Sequence, residues 1–256
     1  MNIFHSIILG LVEGVTEFLP VSSTGHLILT GRLLGLPQSE FLKTFEIAIQ
    51  LGAILAVVVM YGRLLFRDFE VSKRVAAAFI PTAILGFILY KVVKKVFLNS
   101  HEVVLWSLFL GGIFLIVFEC WHKESKEGEE KISEMSYAKA VIIGVVQSLA
   151  MVPGVSRSAA TIVGGLALGL KRKTIVEFSF LLAVPTMLAA VLLDLVKTAG
   201  SFDRIQFLHL GVGLVTSFVV AMASIKFLLK FIQNNNFIGF GVYRIVVAAL
   251  FWLMAR

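Results

Sequence analysis

Charged residues, cysteine and proline are all scarce in this sequence. Asp, Glu, Lys and Arg make up 15% of the 256 residues, whereas they make up about a quarter of an average soluble domain. The single cysteine, Cys120, excludes an internal disulfide and a multi-cysteine metal site. The first residues lack a basic segment followed by a small-residue cleavage site, so we expect no removable signal peptide. The composition is therefore not that of a soluble domain.

Apolar residues are correspondingly abundant. They make up 58% of the chain, and the mean hydropathy is +0.94. They occur in long runs such as 47–61 and 103–118, and a helix needs about 20 apolar residues to cross a bilayer. The net charge of +7 is spread over the segments between these runs, which is typical of loops that set orientation and attract anionic lipids. The sequence predicts a multi-pass membrane protein and no nucleic-acid partner.

The pattern predicts an all-α integral membrane fold with about six spans and two interrupted stretches. The expected spans are 44–62, 75–90, 102–121, 174–196, 206–230 and 238–255. The stretches 3–36 and 138–170 are broken near the middle by Pro20-Val-Ser-Ser-Thr-Gly25 and by Pro153-Gly-Val-Ser-Arg-Ser158. Irregular backbone at membrane depth needs protein or water around it. We therefore interpret both stretches as re-entrant helix–loop–helix hairpins.

The two interrupted stretches also resemble each other at a constant offset of 134 residues. The matched positions are Gly10 and Gly144, Val21-Ser22 and Val155-Ser156, Gly31 and Gly165, and Gly35 and Gly169. Three spans separate the hairpins, so the second should enter from the opposite side, giving an inverted-topology repeat whose breaks meet near the midplane. We predict one membrane domain with a first repeat at 1–121, a polar connector at 122–137 and a second repeat at 138–256.

The distribution of basic residues predicts an orientation. Loops 63–74, 122–137, 171–173 and 226–236 carry twelve Lys and Arg, and the opposite side carries eight. The first side is expected to be cytoplasmic. The first hairpin would then open to the extracytoplasmic side.

Two carboxylates precede the first break. Glu13 and Glu17 share one helix face, and ionisable residues inside a membrane are usually functional. Together they could hold a hard cation such as Mg²⁺ or Ca²⁺ through oxygen ligands. The alternative is that they pair with an arginine or accept hydrogen bonds from backbone amides.

The break itself carries hydroxyl groups and an imidazole. Ser22, Ser23 and Thr24 precede His26, and such a segment can form an anion site. Ser23 or His26 could attack phosphorus, or His26 could act as general acid or base. An ordinary helix cap is the alternative.

The second break carries Arg157 between Ser156 and Ser158. A guanidinium group binds phosphate oxygens in a bidentate way, although a salt bridge to Glu13 or Glu17 is also possible.

Four further polar residues could line a cavity or anchor helices: Glu46, Gln50, Glu177 and Asp194. The whole set suits phosphoryl transfer. A transporter is the rival interpretation, since inverted repeats with broken helices are frequent among transporters.

The segment from Gly10 to Leu27, with its Glu-Gly-Val-Thr-Glu-Phe-Leu-Pro-Val-Ser-Ser-Thr-Gly-His run, resembles the first signature of the bacterial undecaprenyl-diphosphate phosphatases of the bacitracin-resistance type. The segment 153–162 is similar to their second signature, with Ala159 where glycine is frequent. A different lipid-phosphatase signature fails, because no histidine follows Ser156-Arg157 at the required spacing.

The resemblance implies hydrolysis of undecaprenyl diphosphate to undecaprenyl phosphate, which recycles the carrier lipid for peptidoglycan synthesis and gives bacitracin resistance. It implies a divalent cation and a catalytic set of Glu17, Ser23, His26 and Arg157, supported by Glu13. We expect Ser22, Thr24, Ser156 and Ser158 to bind substrate and Glu13 with Glu17 to bind the metal. The expected location is the bacterial inner membrane, with the site open to the extracytoplasmic side. A homodimer is one assembly that we consider.

Overall fold

The computed structural model describes residues 1–37, 39–92, 101–123, 128–198 and 203–254, and it is helical as predicted. The α-helices within these ranges are α1 Ile3–Thr16, α2 Ser23–Leu33, α3 Glu40–Ala48, α4 Gln50–Arg67, α5 Phe69–Val92, α6 His101–Trp121, α7 Tyr137–Gln147, α8 Arg157–Ala167, α9 Arg172–Thr198, α10 Arg204–Phe231 and α11 Ile238–Met254. Short 3-10 helices occupy Ile132–Glu134 and Ser148–Met151.

Within the described ranges, five segments are long and apolar enough to cross a membrane. They are Glu40–Arg67, Phe69–Leu89, Glu102–Trp121, Arg172–Asp194 and Arg204–Phe231. They correspond to five of the six expected spans, so a multi-pass membrane protein is confirmed. The sixth expected span, 238–255, is the apolar α11 of 17 residues, and its end lies outside the described residues. Whether α11 crosses the membrane stays a prediction.

The span 40–67 is broken at one position that the sequence does not signal. Helix α3 ends at Ala48 and α4 begins at Gln50, with Ile49 between them. Neither glycine nor proline stands at the break. As a result, Gln50 occupies the first turn of a new helix in the interior of the span.

Both interrupted stretches consist of two short helices joined by a turn segment. Helices α2 and α8 have 11 residues each, and their bounds differ by the offset of 134 residues found in the sequence. Ser22 (φ 72°) and Ser156 (φ 77°) are the N-caps of these helices and have the positive φ that side chains rarely adopt. Such a conformation costs about 1–3 kcal/mol and is typical of functional sites. The local backbone geometry therefore follows the sequence similarity.

Each short first helix packs on a long helix from the other half of the chain. Helix α1 packs along α10, and α7 packs along α5. Glycine permits the close approach in both cases: a methyl group at position 10 would come within 2.6 Å of the Gly213 carbonyl oxygen, and Gly144 faces the Ala78 carbonyl in the same way. Helices α6 and α11 also pack together, as do α4 and α9. Because the first helix of each half packs on a helix of the other half, the two breaks lie close together.

The connector 122–137 is more closely attached to the helices than a free linker. Residues 124–127 lie outside the described residues, but the Lys171 amide donates to the Glu129 carbonyl at 3.2 Å and the Thr174 hydroxyl donates to the Glu130 carbonyl at 2.8 Å. Arg74 donates to the Met135 carbonyl. The connector therefore covers the ends of α5 and α9.

Candidate active site

A cavity of about 110 Å³ lies between the two breaks. From the predicted set, Glu17, Ser22, Ser23, Thr24, Ser156 and Arg157 line it. Glu13, His26 and Ser158 are not among its lining residues. The structure thus brings the first and second breaks together around one polar space, although three of the predicted residues stand behind its wall.

Glu17 connects the two breaks inside the cavity. Its Oε2 accepts a hydrogen bond of 2.5 Å from the Ser23 hydroxyl, and its Oε1 lies 3.3 Å from Arg157 Nη2. The three side chains come from the end of α1 and from the first residues of α2 and α8. A single carboxylate therefore orients a hydroxyl group and faces a guanidinium group.

The second break is fixed by hydrogen bonds on both sides of Arg157. Arg157 Nη1 donates to the Ser179 carbonyl at 2.7 Å, and the Ser179 hydroxyl lies 2.6 Å from the Thr161 hydroxyl. Ser158 donates to the Phe18 carbonyl at 2.7 Å. These contacts hold the guanidinium at the cavity and attach α8 to the first break.

His26 uses both ring nitrogens in contacts behind the cavity. Nδ1 lies 2.8 Å from the Ser22 carbonyl oxygen, which can only accept, so Nδ1 carries the proton. Nε2 lies 2.9 Å from the Tyr243 hydroxyl, and the two rings are parallel with centroids 5.4 Å apart. The imidazole thus braces the strained Ser22 backbone that precedes Ser23.

Glu13 is fully buried one helical turn before Glu17. Neither of its carboxylate oxygens has a hydrogen-bond partner among the described residues, and a buried carboxylate without a partner is costly. The Glu13 carboxyl group interacts electrostatically with three charged side chains, those of Glu17, Glu46 and Arg157. In the described part of the chain, no three His, Cys, Asp or Glu residues form a metal-binding group. Glu13 and Glu17 fit a hard cation that takes its remaining oxygens from phosphate and water, as Mg²⁺ usually does.

Arg244, on α11, binds both breaks from behind and is 1% exposed. Its guanidinium donates to the carbonyls of Pro20 (3.4 Å), Gly154 (2.9 Å) and Val155 (3.1 Å). It also donates to the carbonyls of Ser107 and Leu108 on α6. Pro20 and Gly154 are 134 residues apart, so one side chain holds equivalent positions of the two breaks.

Arg244→Met is expected to lower the apparent Tm of the purified protein by about 6–12 °C. The change leaves buried carbonyls without a donor, which we take to cost about 3 kcal/mol, and each kcal/mol corresponds to about 2–4 °C at this chain length. Thermal unfolding in detergent measures it. Arg63→Met, which changes an exposed arginine on α4, is the control, and an unchanged Tm in Arg244→Met would contradict this role.

The structure distinguishes the four further polar residues, for which the sequence allowed either a place in the cavity lining or a role in anchoring helices. Gln50 lines the cavity, which follows from the helix break at Ile49. Glu46, Glu177 and Asp194 are not among the lining residues. Tyr243 and Arg244 are functional candidates that were not predicted from the sequence, although an arginine inside an apolar span is itself a functional signal.

Comparisons with known proteins agree on one family. A family model described as bacitracin resistance protein BacA matches residues 6–250. The undecaprenyl-diphosphatase of Sulfurihydrogenibium sp. (strain YO3AOP1) is 53% identical over 253 residues, 99% of each chain. The undecaprenyl-diphosphatase of Wolinella succinogenes is 52% identical over 251 residues, 98% of this chain and 97% of its own, and that of Aquifex aeolicus is 49% identical over 252 residues, 98% of each. The chain belongs to the BacA family of bacitracin resistance proteins.

Proposed function

We propose that this protein hydrolyses undecaprenyl diphosphate to undecaprenyl phosphate and phosphate within the membrane. The relatives of about 50% identity that cover nearly the whole chain carry the name of this activity. Recycling of the carrier lipid for peptidoglycan synthesis and bacitracin resistance follow from the activity and the family. The single observation that carries the proposal is Glu17 bridging Ser23 and Arg157 across the two breaks.

The geometry favours Ser23 over His26 as the nucleophile. Ser23 Oγ lies 2.5 Å from a carboxylate oxygen of Glu17, which is the arrangement of a nucleophile and its general base. Both ring nitrogens of His26 are occupied by Ser22 and Tyr243. His26 therefore acts through the position of Ser22 and Ser23.

The reaction then proceeds in two displacements. Ser23 Oγ attacks the terminal phosphorus while its proton passes to Glu17, and undecaprenyl phosphate leaves. Water then attacks the phosphorus of the phosphoserine, and the bond between phosphorus and Ser23 Oγ breaks. Ser23 takes its proton back from Glu17, and inorganic phosphate leaves with the two hydrogens of the water. Arg157 binds the oxygens of the transferred phosphoryl group, whose charge must be neutralised in the transition state. Ser22, Thr24 and Ser156, which line the cavity, supply hydroxyl donors to the diphosphate.

We also propose that the enzyme uses a divalent cation, Mg²⁺ or Ca²⁺, held by Glu13 and Glu17. Such an ion neutralises charge on the diphosphate when bound. The support is the chemistry of the donors: the Glu13 oxygens are buried and lack a hydrogen-bond partner among the described residues, and Glu17 follows one turn later.

Release of inorganic phosphate from undecaprenyl diphosphate or farnesyl diphosphate by the purified protein in detergent tests the function. A transporter, the rival activity, releases none. Omitting divalent cations with a chelator and restoring Mg²⁺ or Ca²⁺ tests the cofactor in the same assay. Absence of phosphate release with cations present would refute the proposed hydrolysis.

We further propose an inverted repeat in the inner membrane, with the site open to the extracytoplasmic side. Gln50, at the cavity, stands ten residues after Glu40 and seventeen before Arg67, which is about 15 Å and about 26 Å along a helix. The cavity is therefore nearer to the end opposite the basic loops 63–74 and 171–173. The equal bounds of α2 and α8 at the 134-residue offset support the repeat. A homodimer stays a prediction.

His26→Gln is expected to lower kcat by about 10- to 100-fold and to leave the phosphorylated residue unchanged. The imidazole braces the backbone before Ser23, and small misplacements of a reacting group cost up to about 100-fold. Parallel reactions with labelled substrate, one quenched in acid and one in base, followed by peptide mapping, identify the modified residue. A label on native His26 that this substitution removes would contradict the positioning role.

A further inference from the structure

The lining of the cavity is mostly polar, with a smaller apolar part. Among the described residues that line it, the apolar side chains are Ala150, Pro153 and Met187. Ala150 belongs to the 3-10 helix Ser148–Met151, and Met187 lies on α9. A lipid diphosphate has a polar head and an apolar chain. The polar part of the lining matches the diphosphate head. The three apolar residues, here called the apolar wall, match the first carbons of the chain.

The cavity is too small to contain the chain. Its volume is about 110 Å³, whereas pockets that enclose drug-sized ligands measure about 300–1,000 Å³. A polyprenyl chain must therefore leave the cavity close to the diphosphate. Bringing apolar carbons past Glu17 or Arg157 would remove water from charged groups without giving them a partner, which is costly.

Each of the two elements carries an exposed apolar side chain beside the residue that lines the cavity. Leu149, next to Ala150, is 63% exposed, and Leu188, next to Met187, is 39% exposed. In a membrane protein such surface faces lipid tails. Ala150 and Met187 therefore each have an exposed apolar neighbour in the sequence, which a prenyl chain leaving the cavity can contact.

We propose that the prenyl chain of the substrate leaves the cavity across Ala150 and Met187 and enters the bilayer beside Leu149 and Leu188. The inference rests on the proposed phosphatase activity and makes these residues determinants of chain specificity. Replacing Met187 with a larger side chain narrows this exit. It is therefore expected to penalise long prenyl chains more than short ones.

Met187→Trp tests the exit with the full-length protein in detergent. The measured quantity is kcat/KM for farnesyl diphosphate divided by kcat/KM for isopentenyl diphosphate. We expect this ratio to fall at least tenfold in Met187→Trp and to keep its native value in Leu250→Trp, a matched change at an exposed site on α11. Ala150→Leu, a smaller enlargement of the same wall, is expected to lower the ratio in the same direction, and it carries the test if Met187→Trp does not fold. A ratio within twofold of native in the folded variants would overturn the proposal.

A photoreactive farnesyl diphosphate analogue tests the exit without mutation. Illumination of the native protein is expected to label peptides that contain Leu149 or Leu188. Labelling confined to α4 or α11 would overturn the exit. Failure of the proposed function is distinguishable, because the native protein would then release phosphate from neither diphosphate.

Discussion

Arg157→Lys is expected to lower kcat about 1,000-fold. Lysine keeps the positive charge, but it lacks the planar fork that binds two phosphate oxygens at once. It also cannot span the Ser179 carbonyl and Glu17 Oε1, which Arg157 contacts at 2.7 Å and 3.3 Å. Arginines that stabilise a transferred phosphoryl group contribute about 10³–10⁵-fold to kcat. Initial rates of phosphate release at saturating farnesyl diphosphate measure the effect.

Arg172→Lys is the matched control for this substitution. Arg172 also forms a buried pair with a glutamate, since its guanidinium contacts Glu119 at 2.5 and 3.1 Å, and it is not among the residues lining the cavity. The control is expected to lower the Tm and to keep kcat within about threefold of native. An ion pair that is distant from the reacting groups affects the stability of the fold rather than turnover. If Arg157→Lys kept kcat within tenfold of native, or if both variants lost the same activity, Arg157 would not bind the transferred group.

The sequence predicted the place where the two breaks meet because polar residues inside apolar stretches carry a strong signal. A membrane offers no water to a serine or an arginine, so Ser22, Ser23 and Arg157 had to face one another or a wet cavity. The offset of 134 residues reappears in the bounds of α2 and α8 and in the positive φ of Ser22 and Ser156. A local pattern here predicted local backbone geometry.

The contacts behind the cavity could not be predicted in the same way. Arg244 binds backbone carbonyls of Pro20, Gly154 and Val155. Because every residue has a backbone carbonyl, the sequence contains no signal for these partners. The same holds for the His26–Tyr243 contact, whose partners are 217 residues apart. Gln50 reached the cavity through a helix break without glycine or proline. These features arise from the tertiary packing of α11 and α4, which a linear pattern does not encode.

Ser23→Ala is expected to lower kcat by about 10⁴-fold or more and to abolish the phosphoenzyme. The substitution removes the atom that attacks phosphorus, and the loss of a nucleophile leaves only binding and charge stabilisation. Reactions with terminally labelled farnesyl diphosphate, quenched in parallel in acid and in base, measure the intermediate. Phosphoserine survives acid, whereas phosphohistidine is lost in acid and survives base. Label that is stable only in base and maps to His26 would exclude Ser23 as the nucleophile.

Two further variants separate the chemistry of Ser23 from general damage to a buried serine. Ser224→Ala removes a buried hydroxyl that donates to the Val220 carbonyl at 3.0 Å on α10, and it is expected to keep the native kcat. Glu17→Gln with Ser23→Ala is expected to lose less activity than the sum of the two single losses, because the base has nothing to activate once its nucleophile is gone and only the role of Glu17 in cation binding remains. Fully additive losses in the double variant would mean that Glu17 does not act as the base for Ser23, although their side chains are 2.5 Å apart.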